Sequence, residues 1–449
     1  MFGVFRQLMK WILGTLALLV LGLIFRLNLL VYAMYALLGI LLLSRFFTRH
    51  WTERISVRRR CSGEVFEIGE SCDVTVEIKN DGSLSVPWLL IEDALSRDAL
   101  SGTTPRIKVE GGRLNLVRLA PRETADLEYQ ATFLTRGYFQ LGPLLLETGD
   151  VFGLHRRFRV AGEPLFALVL PKVLPLQGYN LASRRPIGEI RVTHRLFEDP
   201  TRLTGVRPYQ HGDPLNRIHW RATARTGELH SRTYEPSRVA GATFLLDFHA
   251  DSLAGANGII SAELAIVAVA SLANAVYLMG QQTGFISNGR DAADRIREEG
   301  WRAEFLTRAA ARQRASEPSA NDRLRPVQVE NGKGLEKLNQ ILETLARLEM
   351  TDGLNFAEMI AASISRISRD ATVIAVLHRV TPETAVALGD MVRRGFLVTA
   401  VVVAFAAGPI PDWARPPEWA NLLLAQGVDF RLVNSEEMII NLCAEAIVR

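Results

Sequence analysis

Apolar and polar positions divide the chain into three regimes. In the first, "WILGTLALLVLGLIF" and "LLVYAMYALLGILLL" are uninterrupted apolar runs separated only by Arg26, Leu27 and Asn28. As helices they rise roughly 22 Å each, short of a hydrocarbon core of about 30 Å. Extension to spans of about residues 8-26 and 28-46, with Lys10 and Arg45 snorkelling, brings them to spanning length. Neither run is amphipathic and no small-residue cleavage site follows the first, so residues 1-50 read as a two-helix transmembrane hairpin rather than a signal peptide.

From about residue 55 the period becomes two. "CDVTVEIKNDG" alternates Val74, Val76 and Ile78 against polar neighbours and ends in a turn, and "VPWLLIEDAL", "RLNLVRLAP", "ADLEYQATF" and "GYFQLGPLLLET" follow at hairpin spacing. Residues 55-170 are expected to form an antiparallel β-sandwich of immunoglobulin-like type.

In the third regime strands alternate with helices: "ATFLLDF", "SAELAIVAVASLANAVYLMG", "TGFIS", "LEKLNQILETLARLE", "NFAEMIAASISRIS", "ATVIAVLH", "PETAVALGDMVRRG", "FLVTAVVVAF" and "VDFRLV". Continuously apolar strands predict an α/β doubly wound parallel sheet over residues 239-449. A charged insertion, residues 289-334, reads as a surface helix and a mobile loop.

Charge changes this picture in one respect. The net charge of +4 and pI of 9.0 suggest an acidic partner, but residues 1-60 hold nine Lys/Arg against Glu53 alone, and the remainder carries 43 basic and 47 acidic residues, a net of −4. That argues against a nucleic-acid binder. Arg6, Lys10, Arg45, Arg49 and Arg54 flank the outer ends of the hairpin while only Arg26 lies in its turn, so the positive-inside rule places both ends, and the soluble body, on the cytoplasmic side of the inner membrane. Cys61, Cys72 and Cys443 fit no zinc or redox spacing, as a reducing compartment expects; a Cys61-Cys72 bridge would accompany the inverse orientation.

Between sandwich and sheet, in a linker of residues 171-238, lies the densest polar stretch, "RPYQHGDPLNRIHWRATARTGELHSRTYE", with five arginines and three histidines. Asp213 followed by Pro214 fits a helix start and Gly227 a helix end, so Arg217, Arg221 and Arg225 would form a ridge on one helix, followed by an edge strand with His230, Arg232 and Tyr234 on one side. His211, His219 and His230 with Asp213 lack ligand spacing for a metal. No phosphate loop, nucleophile elbow or H-E-x-x-H is present. A polar joint, with Trp220 packed beneath arginines paired to carboxylates, is favoured over a docking surface.

The stretch resembles the signature of the bacterial membrane proteins called domain of unknown function 58 (DUF58), carried by Arg207, Tyr209, Gly212, Asp213, Arg217, His219, Trp220, Arg221, Ala224, Arg225, Leu229 and Arg232, with "RGYFQLGPLLLETGDVFGL" as a second similar region. The resemblance implies a sandwich followed by a von Willebrand factor A-like domain, and proximity to MoxR-type AAA+ ATPases as partners. Such domains often hold Mg²⁺ through Asp-x-Ser-x-Ser. The aligned residues here are Asp247, His249 and Asp251, with Thr351 or Asp352 for a later threonine and His378 where a carboxylate is expected, so the site reads as degenerate, with no metal or other cofactor. The expectation is a non-enzymatic, membrane-anchored adaptor or scaffold acting with such an ATPase in the assembly or maturation of protein complexes; the alternative is a metal-dependent hydrolase using Asp247, His249 and His378.

Overall fold

The computed structural model describes residues 2–95, 99–100, 105–150, 155–176, 198–210, 218–236, 241–254, 257–299, 325–368, 371–404 and 416–442. The chain divides into two compact units. The first comprises Met1–Lys172, Arg290–Asp322 and Glu343–Glu349, the second Val173–Gly289, Arg323–Leu342 and Met350–Arg449.

Helices α1 (Phe2–Ile24) and α2 (Asn28–Glu53) pack against each other across a turn in which Arg26 takes φ 53°. Leu13, Leu21, Ile24, Phe25, Leu29, Tyr32, Leu42 and Phe46 are exposed on them. Helix α2 is long and apolar enough to cross a membrane, and the apolar part of α1, Leu13–Ile24, is shorter. The last turns of α2 change character, because Trp51 joins the core of the sandwich, as does Ile55 just beyond.

The strands β1 (Ile55–Cys61), β2 (Val65–Phe66), β3 (Ser71–Asn80), β4 (Val86–Asp93), β5 (Ile107–Gly111), β6 (Leu114–Leu119), β7 (Thr124–Phe133), β8 (Gly137–Leu141), β9 (Leu144–Gly149), β10 (Arg156–Ala161) and β11 (Leu165–Val169) follow. They build antiparallel four-stranded sheets β1-β3-β7-β5 and β10-β9-β4-β6, plus a smaller sheet β2-β11-β8. The alternation read from the sequence is realised in β3, where Val74, Val76 and Ile78 are buried. They share one core with Leu89, Ile91, Leu119, Leu144 and Leu146 of the facing sheet. "GYFQLGPLLLET" forms two strands in different sheets rather than one, because Gly142 at φ +87° turns the chain and Pro143 offers no N–H to a ladder. Cys61 and Cys72 are bonded, with Cα atoms 6.4 Å apart, so the pairing that the sequence links to the inverse orientation is the one present; Cys443 lies outside the described residues.

Two sheets of a sandwich bury side chains of opposite character where they meet. The Arg59 guanidinium pairs with Asp93, donates to the Glu163 carbonyl over 2.8 Å, and lies with Asp93 almost wholly out of solvent. The Tyr129 hydroxyl completes the carboxylate's shell at 2.7 Å. Burial, and then the charge of Asp93, push the Tyr129 hydroxyl above the ordinary phenol range, so it remains a donor.

The remaining elements are, in order, β12 (Glu198–Pro208), α3 (Trp220–Thr226), β13 (His230–Pro236), β14 (Gly241–Leu246), α4 (Gly258–Leu278), β15 (Gln282–Ser287), β16 (Arg290–Asp291), α5 (Ala292–Glu299), β17 (Val327–Gly332), α6 (Leu335–Arg347), β18 (Leu348–Glu349), α7 (Phe356–Ser363), β19 (Thr372–Leu377), α8 (Pro382–Arg393), β20 (Leu397–Val403), α9 (Pro416–Ala425), β21 (Asp429–Val433) and α10 (Glu436–Ile440). The six-stranded sheet runs β17-β15-β14-β19-β20-β21, parallel except for β17 at its edge. One face packs α7, α8 and α9 through Leu245, Val373, Ala375 and Val402. Helix α4 also passes the length and hydropathy test for a membrane span, yet 78% of that stretch is buried, as a core helix apolar on all sides should be. Local caps agree with the tertiary structure: Asn355 and Glu358 close a capping box, and Thr381 caps a helix that opens with Pro382.

The insertion holds the expected helix as α5, and its expected loop lies outside the described residues. β17 is a strand of the sheet, while β16, α5 and β18 belong to the first unit. There β16 pairs with β18, and Arg295 grips Glu349 through two hydrogen bonds of 2.6 and 2.9 Å. Arg136, buried, donates to the carbonyls of Leu345, Ala346 and Leu348 at 2.7, 3.2 and 3.0 Å, satisfying acceptors that the end of α6 leaves open.

Candidate functional site

The polar signature folds as a ribbon with a short helix across it. β12 and β13 pair antiparallel, with Val206 opposite Arg232 and Arg207 opposite Ser231. Ile218, buried, makes a bridge with Ser231, and that extended backbone delays the helix to Trp220. The described helix spans 220–226, and the expected start at Asp213 and Pro214 lies outside the described residues. Its N-cap is His219, whose Nδ1 accepts from the Ala222 N–H at 3.0 Å, and Gly227 ends it at φ 79° as expected. His211, Gly212, Asp213 and Arg217 lie outside the described residues.

What remains of the ridge faces solvent. Arg221 and Arg225 are exposed one turn apart, Ala224 beside them is exposed, and Arg232 projects from the ribbon. Among the described residues no carboxylate pairs with these three arginines. Trp220 is 65% exposed rather than packed beneath them, and Leu229 is exposed too. Arg207 is half-buried and donates to the Pro208 carbonyl at 3.3 Å, while the Tyr209 N–H donates to the Leu229 carbonyl at 2.8 Å. His219 and His230 each use Nδ1 locally, His230 on the Glu228 carbonyl at 2.8 Å.

The second candidate lies at the carboxyl ends of β14 and β19, where the strand order reverses and open α/β sheets place their ligands. Asp247 follows β14 directly, buried, and its N–H bonds the Val376 carbonyl of β19 at 3.0 Å. Its Oδ1 accepts from Asn288 Nδ2 at 3.0 Å and from the His249 N–H at 3.3 Å. Asn288 also accepts from the Phe248 N–H at 2.6 Å and donates to the Leu354 carbonyl at 3.0 Å. It staples three loops together. The sequence reading missed it, although Ser287-Asn288-Gly289 after an apolar strand is the available signal: a polar pair and a glycine at a strand's carboxyl end.

His249 meets Thr351 through a parallel bridge, and the Ala250 N–H bonds the Thr351 carbonyl at 2.8 Å. The Thr351 hydroxyl accepts from the Gly353 N–H. His249 Nδ1 accepts from the Asp251 N–H at 3.2 Å, and the Asp251 carboxylate, exposed, lies 3.7 Å from the same nitrogen. His378 ends β19 fully buried, with neither ring nitrogen in a hydrogen bond. Burial pushes its pKa down to about 4, against the pull of Asp247, so the ring is neutral at pH 7.

Asp247 spends Oδ1 on protein N–H groups, the Asp251 carboxylate is exposed, and among the described residues no three His, Cys, Asp or Glu groups converge to hold a metal. The geometry orients a carboxylate and seals a neutral imidazole behind it.

Residues 205–352 match the sequence model of a family described as "Protein of unknown function DUF58". The matched stretch holds the ribbon from Gly205 onward, Asp247, His249, Asn288 and Thr351. A Bacillus subtilis (strain 168) relative, "Uncharacterized protein YeaD", is 21% identical over 264 residues, covering 58% of this chain and 62% of the relative, so the match spans less than two thirds of that protein. Among solved structures, the CARDB domain of PF1109 from Pyrococcus furiosus is 17% identical with a TM-score of 0.17, over 26% of this chain and 94% of that one. A PapD-like domain of human CEP192 is 15% identical with a TM-score of 0.19, over 26% and 85%. Likenesses at these scores carry no argument.

Proposed function

We propose that this chain is a membrane-anchored, non-enzymatic adaptor whose ribbon docks a soluble partner of the MoxR-type AAA+ ATPase class. The observation that carries the reading is the exposure of Trp220 beside Arg221 and Arg225, with no carboxylate among the described residues to neutralise them. Exposed Trp and Arg are the residue types that dominate protein interfaces, and unpaired guanidiniums suit an acidic patch. The strand order of the six-stranded sheet, reversing between β14 and β19 with one antiparallel edge strand, supports a von Willebrand factor A-like reading of residues 239-449. The test is Arg221→Glu in the full chain. Loss of the co-purifying ATPase with an unchanged melting temperature supports docking; a lowered melting temperature returns the ridge to a structural joint; no change in either overturns the reading.

In this proposal α1 and α2 are an inner-membrane hairpin and the body is cytoplasmic, as the flanking arginines argue. The Cys61–Cys72 bridge counts against that orientation, because cytosolic thiols are held reduced. A reporter fused after Arg449 decides between them: activity only in the periplasm removes both the orientation and the cytosolic partner.

The metal-dependent hydrolase has one observation in its favour, the two unpartnered ring nitrogens of His378 next to Asp247. Metal analysis of the purified chain tests it, and one equivalent of bound zinc would reinstate it.

A further inference from the structure

The exposed stripe of α2 changes chemistry within one turn. Leu42, Leu43 and Phe46 are exposed, Phe46 by 59%, and Arg49 follows three residues on, its side chain 70% exposed, with Glu53 a further turn along. The helix rises only about 4.5 Å between Phe46 and Arg49. At the same level the body of the sandwich arrives. β10 lies against the end of α2, where Arg159 donates to the carbonyls of Thr52 and Ile55 at 2.7 and 3.2 Å. Trp51 is sunk in the sandwich core, so this junction is not free to swing.

The strand that makes the junction is the basic "RRFRVA". Arg157 reaches Glu53 at 3.3 Å, and Arg156 extends into solvent, 70% exposed, with only Glu147 at 3.8 Å. Arg54 is exposed and makes no ion pair among the described residues. Four guanidiniums thus surround the end of an apolar helix with two carboxylates, Glu53 and Glu147, to offset them.

On the reading that α1 and α2 span a membrane, we propose that Arg49, Arg54, Arg156 and Arg157 form a collar that binds anionic lipid headgroups of the leaflet in which α2 ends. Guanidiniums match phosphate oxygens in geometry as well as charge, and basic residues at a leaflet surface are each attracted by anionic lipid. The occupant follows from continuity: a helix whose stripe is lipid-facing at Phe46 must meet headgroups within the next turn, where the arginines stand.

The experiment uses the full chain in detergent, titrated with phosphatidylglycerol or phosphatidylcholine of identical acyl chains and read by native mass spectrometry. The unaltered chain is expected to prefer phosphatidylglycerol. Arg49→Gln/Arg156→Gln should weaken that lipid roughly 25-fold, about five-fold per guanidinium, and leave phosphatidylcholine alone. Arg118→Gln, on the strand at the opposite edge of the sheet, should change nothing. Should the double variant melt early, Arg54→Gln replaces it, with a five-fold loss expected. Equal binding of the two lipids by the unaltered chain, or a preference that survives the substitutions, overturns the collar. Alkaline carbonate extraction separates the two levels: a chain retained in membranes without lipid preference sinks the collar alone, whereas release of the chain sinks the hairpin on which it rests.

Discussion

The Tyr129 hydroxyl donates to the Asp93 carboxylate over 2.7 Å, from a strand of one sheet of the sandwich to a strand of the other. Asp93 is shielded from water and already holds the Arg59 guanidinium, so the phenol supplies what solvent cannot. Tyr129→Phe keeps the ring and deletes this donor. We expect it to cost about 1–3 kcal/mol, the penalty of a buried acceptor left open, seen as a melting temperature lowered by several degrees.

Gly142 is expected to be intolerant of any side chain. It sits at φ +87°, and a Cβ there would collide with the guanidinium of Arg59. Gly142→Ala must displace the guanidinium that compensates Asp93, so a loss of at least ~2 kcal/mol is predicted. Denaturant unfolding of the two proteins side by side would expose it, and equal stability would refute the packing.

Arg136 tests the recruitment of a distant segment to the sandwich. Arg136→Ala opens three carbonyls, at Leu345, Ala346 and Leu348, for a predicted cost of roughly 3 kcal/mol. Hydrogen exchange around residues 343–349 should accelerate first. Unchanged protection there would show that the segment is held by the Arg295–Glu349 pair instead.

His378 gives a pH signature. Its folded pKa is lowered from 6.5 to about 4, so the unfolded chain binds the proton more readily. The stability it protects is therefore complete above pH 6.5 and drains away as pH falls from 6.5 toward 4, on the order of 3 kcal/mol in full. His378→Leu should flatten the melting curve over that interval and leave acid loss below it intact. A variant with the unaltered pH dependence would show that the ring is solvated.

Much of this architecture was written in periodicity. The alternation of Val74, Val76 and Ile78 and the apolar runs Phe244-Leu245-Leu246 and Val373-Ile374-Ala375-Val376, buried throughout, follow from local pattern. Asp247, His249, Thr351 and His378 were likewise nameable as residues at strand ends. Their hydrogen bonds were not, since Asn288 stands forty positions from Phe248 and no local pattern links them.

Local signals by themselves determined element type, the apolar N-terminal helices and the basic character of their flanks, because neighbouring residues alone set those. Tertiary structure decided everything that depends on distance in the chain. It started the signature helix at Trp220, since Ile218 is held extended against Ser231; it turned Trp220 outward; and it split "GYFQLGPLLLET" between two sheets. The physical reason is the same in each case: a backbone hydrogen bond or a buried surface supplied by a remote segment outweighs a propensity of a few tenths of a kcal/mol.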